Sequence, residues 1–286
     1  MSESQPTYKR QRFLLAFIRQ IDSSVSTTDL QKLVFLNTME GQTNFYEFLP
    51  YKTGAYSYQL AEDIEILDRD GYVTVTDTLI LATGDYKQDN LYNIAAGRGC
   101  DLIREAYRKY PYYTINSEII DQIFGSEEAS RFKSERQKYK QSEQTLFTIG
   151  YEGKSIEAFI NTLITNGIKL VCDVRKNPLS RKFGFSKSKL EQITGTAGVE
   201  YVHMPELGIE SEKRSPLNSK EDYMVLFTDY EKTLPNLELH IDRVYSLLQA
   251  KSRIALMCYE KEADMCHRHV VRDYIAQAHK IKSEDL

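Results

Sequence analysis

Apolar positions change their spacing near residue 145, and the change divides the chain. Before it they recur every three to four residues. Phe13, Leu14, Phe17, Ile18 and Ile21 keep one face of a first helix apolar. Leu30, Leu33, Val34 and Leu36 do the same for a second, whose start Thr28 and Gln31 predict as a capping box. After the extended stretch Phe45 to Pro50, residues Ser57 to Asp70 place Leu60, Ile64 and Leu67 on one stripe, with Gly71 as the stop. Tyr72 to Asp77 and Leu91 to Ile94 then alternate as the two strands of a hairpin. Three helices followed by a two-stranded wing is the winged-helix order, so residues 1–125 are expected to form a mostly helical, winged-helix-like module.

From Thr145 short apolar runs alternate with helical patterns. Strands are expected near 146–150, 169–175, 200–204 and 253–258, and helices near 156–164, 186–194, 220–250 and 265–278. This alternation predicts an α/β domain over 145–286, with a mainly parallel sheet covered by helices on both faces. Residues 126–144 are dense in charge and nearly free of aliphatics, which reads as a charged linker, helical or flexible. Its basic cluster, Arg131, Lys133, Arg136, Lys138 and Lys140, fits a solvated mixed-charge segment better than a phosphate contact.

The chain has 286 residues, enough for two domains with their own cores. With 37 basic and 41 acidic side chains the net charge is −4, so any nucleic-acid site must be a local patch. Cys100, Cys172, Cys258 and Cys266 lack disulfide-scaffold spacing. The polar start Met-Ser-Glu-Ser-Gln does not read as a signal peptide, and no apolar stretch approaches the ~18 residues of a membrane span. A cytoplasmic location without membrane partners is the expectation.

Ligands of open α/β sheets bind outside the carboxyl ends of the strands. Here those ends run into Gly150-Tyr151-Glu152-Gly153, Asp173 to Arg181, His203 to Gly208, and Cys258 to Arg268. Asp264 is expected to cap a helix whose first turn holds Cys266, His267 and Arg268, where the dipole and free N–H groups favour an anion or a thiolate. The strings TIGYEG, DVRKNPLSRKFGFS, YVHMPELG and MCYEKEADMCHR, in this order, resemble the domain-of-unknown-function family 488 (DUF 488). That resemblance implies an α/β domain with a pocket marked by Arg and Cys-His-Arg and with no firmly established reaction. More weakly, Pro50-Tyr-Lys-Thr-Gly-Ala-Tyr-Ser57 is similar to a "PYKxGPYS" turn of winged-helix modules, with Ala55 in the proline position.

Arg175, Arg181 and Arg268 are candidate anion ligands, because guanidinium forks hold phosphate or carboxylate bidentately. Tyr151, Glu152, Ser180 and His203 complete the expected binding set, and Gly150 and Gly153 suit a close backbone approach to phosphate. Asp173 and Glu260 are candidates for moving protons, and Cys266 and His267 for completing the catalytic group. The competing account is that Asp173, Glu152 and Glu260 merely neutralise the arginines. Cys258, Cys266, His267 and His203 can be nominated as zinc ligands, yet the seven residues between the cysteines do not match paired short spacing, so no metal is assigned. The cofactor stays unknown, haem having no attachment motif. In the N-terminal segment Tyr51, Lys52, Tyr56 and Tyr58 form an aromatic and basic patch suited to nucleic acid. Residues 1–140 nevertheless carry 17 basic against 20 acidic side chains, so protein docking or dimerisation fits equally well.

Three readings follow. The first is a nucleic-acid-associated enzyme, a hydrolase or transferase, with a nucleotide or nucleic acid in the C-terminal pocket. The second is a thiol-based sulfur-transfer or redox-sensing protein using Cys266. The third is a non-catalytic, ligand-responsive regulator.

Overall fold

The computed structural model describes residues 5–21, 24–83, 92–214, 217 and 219–286. The chain separates into two compact units, Met1–Lys138 and Tyr139–Leu286.

The first unit is mostly helical with small antiparallel sheets. It runs α1 (Lys9–Gln20), β1 (Val25–Ser26), α2 (Thr27–Met39), β2 (Leu49–Tyr51), β3 (Gly54–Tyr56), α3 (Tyr58–Arg69), β4 (Val73–Val75), β5 (Leu79–Ala82), α4 (Gly99–Lys109), α5 (Ile120–Ile123) and α6 (Ser126–Glu135). The expected apolar face of α1 is buried, and α2 is buried continuously from Leu30 to Asn37. The cap of α2 is Ser26, whose hydroxyl accepts from the Asp29 amide, rather than the expected Thr28. Gln31 is withdrawn from any capping box because its buried amide exchanges hydrogen bonds with the Ser57 backbone at 3.0 and 2.9 Å.

The strand opposite β4 is β5, which also pairs with β1 to give the order β1-β5-β4. The hairpin partner expected at 91–94 is therefore replaced. Leu91 lies outside the described residues, and Tyr92 is held instead by an amide hydrogen bond to Gln20 and by its ring edge on Phe13. The charged stretch from residue 126 begins as α6, which buries Ala129 and Phe132 in the first unit's core, Phe132 against Phe124 and Tyr107. Two apolar residues one turn apart suffice to dock a helix whose other faces are charged.

The second unit contains β6 (Thr145–Gly150), α7 (Ile156–Thr165), β7 (Leu170–Asp173), α8 (Lys187–Thr196), β8 (Glu200–His203), α9 (Lys220–Glu231), α10 (Glu238–Lys251), β9 (Arg253–Cys258), α11 (Arg268–His279) and β10 (Lys282–Asp285). Its five strands are all parallel in the order β10-β6-β9-β7-β8. Every residue of β6, β7 and β9 is buried, as an interior parallel sheet requires. Leu146, Cys172, Leu256 and Cys258 share a core with Val244 and Leu248 of α10 and Val271 and Ile275 of α11. Helices α7 and α8 bury Phe159, Ile160, Leu190 and Ile193 outside that cluster. The register sets Gly150 beside Cys258, and Asp173 between Met257 and His203, so the four expected strand ends lie in one row. Among the described residues no helix is long and apolar enough to cross a membrane.

Candidate functional site: a thiol and imidazole cluster at the strand ends

Two residues beyond the end of β7, Arg175 turns back onto the strand. Its Nε and one Nη donate to the two carboxylate oxygens of Asp173 at 2.8 and 2.6 Å, and the other Nη donates to the Tyr151 hydroxyl and the Phe185 carbonyl. Tyr201 adds its hydroxyl to Asp173 at 2.6 Å, and Tyr151 stacks on Phe185 with ring centroids 4.3 Å apart. Asp173 is fully buried and Arg175 is 4% exposed. Burial alone would lower the Arg175 guanidinium, but the fork on Asp173 outweighs it and raises the value above normal. His203 places Nε2 2.9 Å from the Arg175 carbonyl oxygen. Asp173, Tyr151 and His203, expected to act on a ligand, thus build one knot around the buried Arg175, with His203 half-buried at its edge.

Arg268 is likewise internal, at 1% exposure. Its three nitrogens donate to the Thr148 hydroxyl at 3.2 Å, the Glu260 carbonyl at 2.6 Å and the Lys261 carbonyl at 3.0 Å. It therefore fixes the loop that follows β9. Gly150 accepts that loop from below, since a Cβ there would stand 1.8 Å from the Glu260 carbonyl oxygen. The close approach expected of a phosphate at Gly150 is made by the protein's own backbone. Glu152 accepts from the Lys261 amide at 3.0 Å and closes the same loop from outside. Gly153 has φ +76° and an open Cβ position.

The other expected binding groups lie on the turn after β7. Ser180 and Ser186 staple their own turn through the Ser186 hydroxyl, and Arg181 is exposed. His269 and His279 are not part of the expected set: on α11, His269 contacts the Cys266 carbonyl through Nδ1, and His279 stacks on Tyr245.

What converges at the end of β9 is sulfur. Cys258, Cys266 and His267 are all buried, and both sulfurs lie 3.9 Å from His267 Nδ1. His267 Nε2 is 3.1 Å from the Val174 carbonyl oxygen, an acceptor only, so the ring proton belongs on Nε2 and Nδ1 presents its lone pair to the sulfurs. Glu260 Oε2 is 3.5 Å from Cys258 Sγ. Helix α11 starts later than expected: His267 is its cap, Cys266 is extended with φ −141°, and Asp264 lies in a preceding 3-10 turn. Cys266 thus projects ahead of the helix instead of occupying its first turn.

The electrostatics follow from this packing. Burial would raise the Cys266 thiol, but hydrogen bonds with Cys258 and His267 and the Arg268 charge outweigh it, and the value falls well below normal. Cys258 moves up, through its hydrogen bond to Cys266 and through burial. The two thiols therefore share one early and one late deprotonation. Burial and the neighbouring Cys266 push the Glu260 carboxyl up to about 7. Burial pushes Cys172 up to about 12, as suits a core thiol.

Two cations absent from the expected set border the loops. Lys182 donates to the Tyr151 carbonyl at 3.0 Å, and burial lowers it. Lys154 is lowered by burial and by the positive charges of Arg268 and Lys261. Each directly follows a residue singled out in the sequence, Lys154 after Gly153 and Lys182 after Arg181. In the first unit Tyr51, Tyr56 and Tyr58 do assemble, with Tyr51 stacked on Tyr56 at 4.6 Å and Lys52 over the Tyr51 ring at 5.6 Å.

The second unit is an α/β domain with a parallel sheet and a buried cysteine and histidine cluster at the carboxyl ends of its strands. Residues 155–275 match the family model described as Domain of unknown function DUF488. No curated protein and no solved structure matches the chain.

Proposed function

We propose that the C-terminal unit is a thiol-based sulfur-transfer or redox-sensing domain in which Cys266 is the reacting atom. One observation carries this reading: two sulfurs share one imidazole nitrogen whose lone pair is turned toward them by the Val174 carbonyl. Such a nitrogen takes the Cys266 proton and leaves a thiolate. Toward a peroxide the thiolate attacks one oxygen, the O–O bond breaks, and hydroxide leaves to give the sulfenic acid. The Cys258 sulfur then attacks Cys266, the S–O bond breaks, water departs and a disulfide forms. The two sulfurs supply the two electrons that reduce the peroxide. Glu260, half-buried beside Cys258, holds or supplies the proton that these steps exchange. Lys154 and Lys182 favour an anionic substrate.

Peptide mapping after brief peroxide treatment tests this. A Cys258–Cys266 disulfide should appear and vanish in Cys266→Ser. Oxidation confined to the exposed Cys100 would overturn the reading.

The phosphate-holding reading of the C-terminal unit draws no comparable support, because Arg175 and Arg268 spend their donors on internal acceptors. Association with nucleic acid rests on the first unit. There the tyrosine cluster with Lys52, and the order of three helices and a hairpin, favour a winged-helix-like module that docks nucleic acid or protein. A salt-dependent gel shift that Tyr51→Ala weakens would support the nucleic-acid partner, and its absence at low salt would favour a protein one.

A further inference from the structure

We infer that Cys258, Cys266 and His267 form a binding site for a thiophilic divalent cation of the zinc type, with Glu260 as the fourth ligand. Among the described residues these three offer Sγ, Sγ and Nδ1 within 4.8 Å of one another. A tetrahedral zinc ion with Zn–S of about 2.3 Å and Zn–N of about 2.0–2.1 Å sets S···N edges of ~3.6 Å and an S···S edge of ~3.8 Å. The observed 3.9 Å from each sulfur to Nδ1 lies within a few tenths of an ångström of that. Contraction of these three ligands onto an ion needs only small side-chain rotations, while Glu260, which lies outside that 4.8 Å group, must swing its carboxylate in from beside Cys258.

A second, independent feature is the orientation of the imidazole. Metal-bound histidines hand their other N–H to a carbonyl or carboxylate, and His267 Nε2 faces the Val174 carbonyl at 3.1 Å. The ligand nitrogen is thereby selected before any ion arrives. Glu260 stands on the outer side of the cluster with Oε2 3.5 Å from Cys258 Sγ, and its backbone is locked by Arg268 at 2.6 Å. Two thiolates and a carboxylate around a divalent ion leave one negative charge, and the buried Arg268 guanidinium offsets it. A donor set of two cysteines, one histidine and one carboxylate is thiolate-rich, which selects zinc-like ions over magnesium or calcium.

The ion and an oxidant would compete for the same sulfurs, so the inference deepens the thiol reading by giving its reduced form a protected state. It fails separately from that reading, as the following experiment shows. Reduced full-length chain is titrated with Co2+ in an inert atmosphere and then with Zn2+. The expected result is one ion per chain, a sulfur-to-cobalt charge-transfer band, and visible bands of tetrahedral intensity that Zn2+ abolishes. Cys258→Ser, Cys266→Ser and His267→Gln should each weaken binding at least tenfold. Wild-type chain alkylated at both cysteines gives the same comparison should the variants not fold. Absence of the bands, or bands that survive alkylation, overturns the metal site. Peroxide mapping of the metal-free chain reports the disulfide independently of either result.

Discussion

The carbonyl oxygen of Glu260 fills the space that a side chain on Gly150 would need, 1.8 Å from the ideal Cβ position. The end of β6 and the loop after β9 are therefore a fitted pair, and the loop carries the carboxylate of the thiol cluster. Gly150→Ala must push the loop outward. We expect a loss of about 2–4 kcal/mol in urea denaturation, by overpacking against backbone. Gly153→Ala, strained at φ +76° but meeting nothing, should cost only about 1–2 kcal/mol. Equal losses would show that the close approach does not matter.

Arg268 distinguishes a loop brace from an anion ligand. Arg268→Lys lacks the planar fork and cannot reach Thr148, Glu260 and Lys261 together, leaving buried acceptors unpaired. A loss of roughly 2–3 kcal/mol is expected without any added anion. Unchanged stability combined with lost phosphate binding would restore the anion-ligand role.

Asp173→Asn should cost about 3–5 kcal/mol, because it leaves the Arg175 guanidinium buried beside a neutral amide. Tyr201→Phe removes a single hydrogen bond to the same carboxylate and should cost about 1 kcal/mol. Chemical denaturation of both variants, read by tyrosine fluorescence, gives the ordering.

Thiol labelling should follow environment. With iodoacetamide at neutral pH, Cys266 should label faster than Cys258, and Cys172, pushed up to about 12 in the core, should stay unlabelled until unfolding. Preferential labelling of Cys258 would reverse the roles of the pair. Peptide mass spectrometry over a time course measures all three.

The first unit predicts its own pH dependence through Lys32, whose ammonium is fully buried and donates to the Ala55 carbonyl at 2.7 Å. Burial lowers it from 10.5 to about 7. Between these values the unfolded chain binds the extra proton, so stability rises with pH across about 7 to 10.5, by at most about 1.4 kcal/mol per pH unit. Below about 7 the penalty of charging the buried amine is present in full. Lys32→Met should flatten that window in urea midpoints measured between about pH 6.5 and 9.5. An unaltered slope would assign the dependence to other groups.

What the sequence made legible was the part written in apolar spacing. Leu146 to Ile149 and Ile254 to Met257 are buried runs, and they announce interior parallel strands. Lys282 to Asp285 carries no such signal, yet it forms β10. This edge strand is held by backbone pairing to β6 and by Asp285 accepting from Thr148 at 2.6 Å. The row of strand ends was legible too, but the direction of each side chain was not. Asp173 and Arg175 are two residues apart, and only the turn after β7 reveals that they satisfy each other. Cys258 and Cys266 look too far apart for a metal or thiol pair in spacing alone. The braced loop between them folds back and sets their sulfurs around one nitrogen. His267 was visible as a residue type, whereas its tautomer depends on Val174, 93 positions earlier.

Strand β10 runs alongside β6 from the pairing of Lys282 with Thr145 to that of Asp285 with Thr148. The first and last strands of the second unit are thus neighbours, offset in their ends by one strand length of roughly 13 Å. A tether of about five or six residues spans that gap. The domain can therefore be circularly permuted, with new ends opened at the exposed Gly198 between α8 and β8, which lies at the amino ends of the strands, opposite the sulfur cluster.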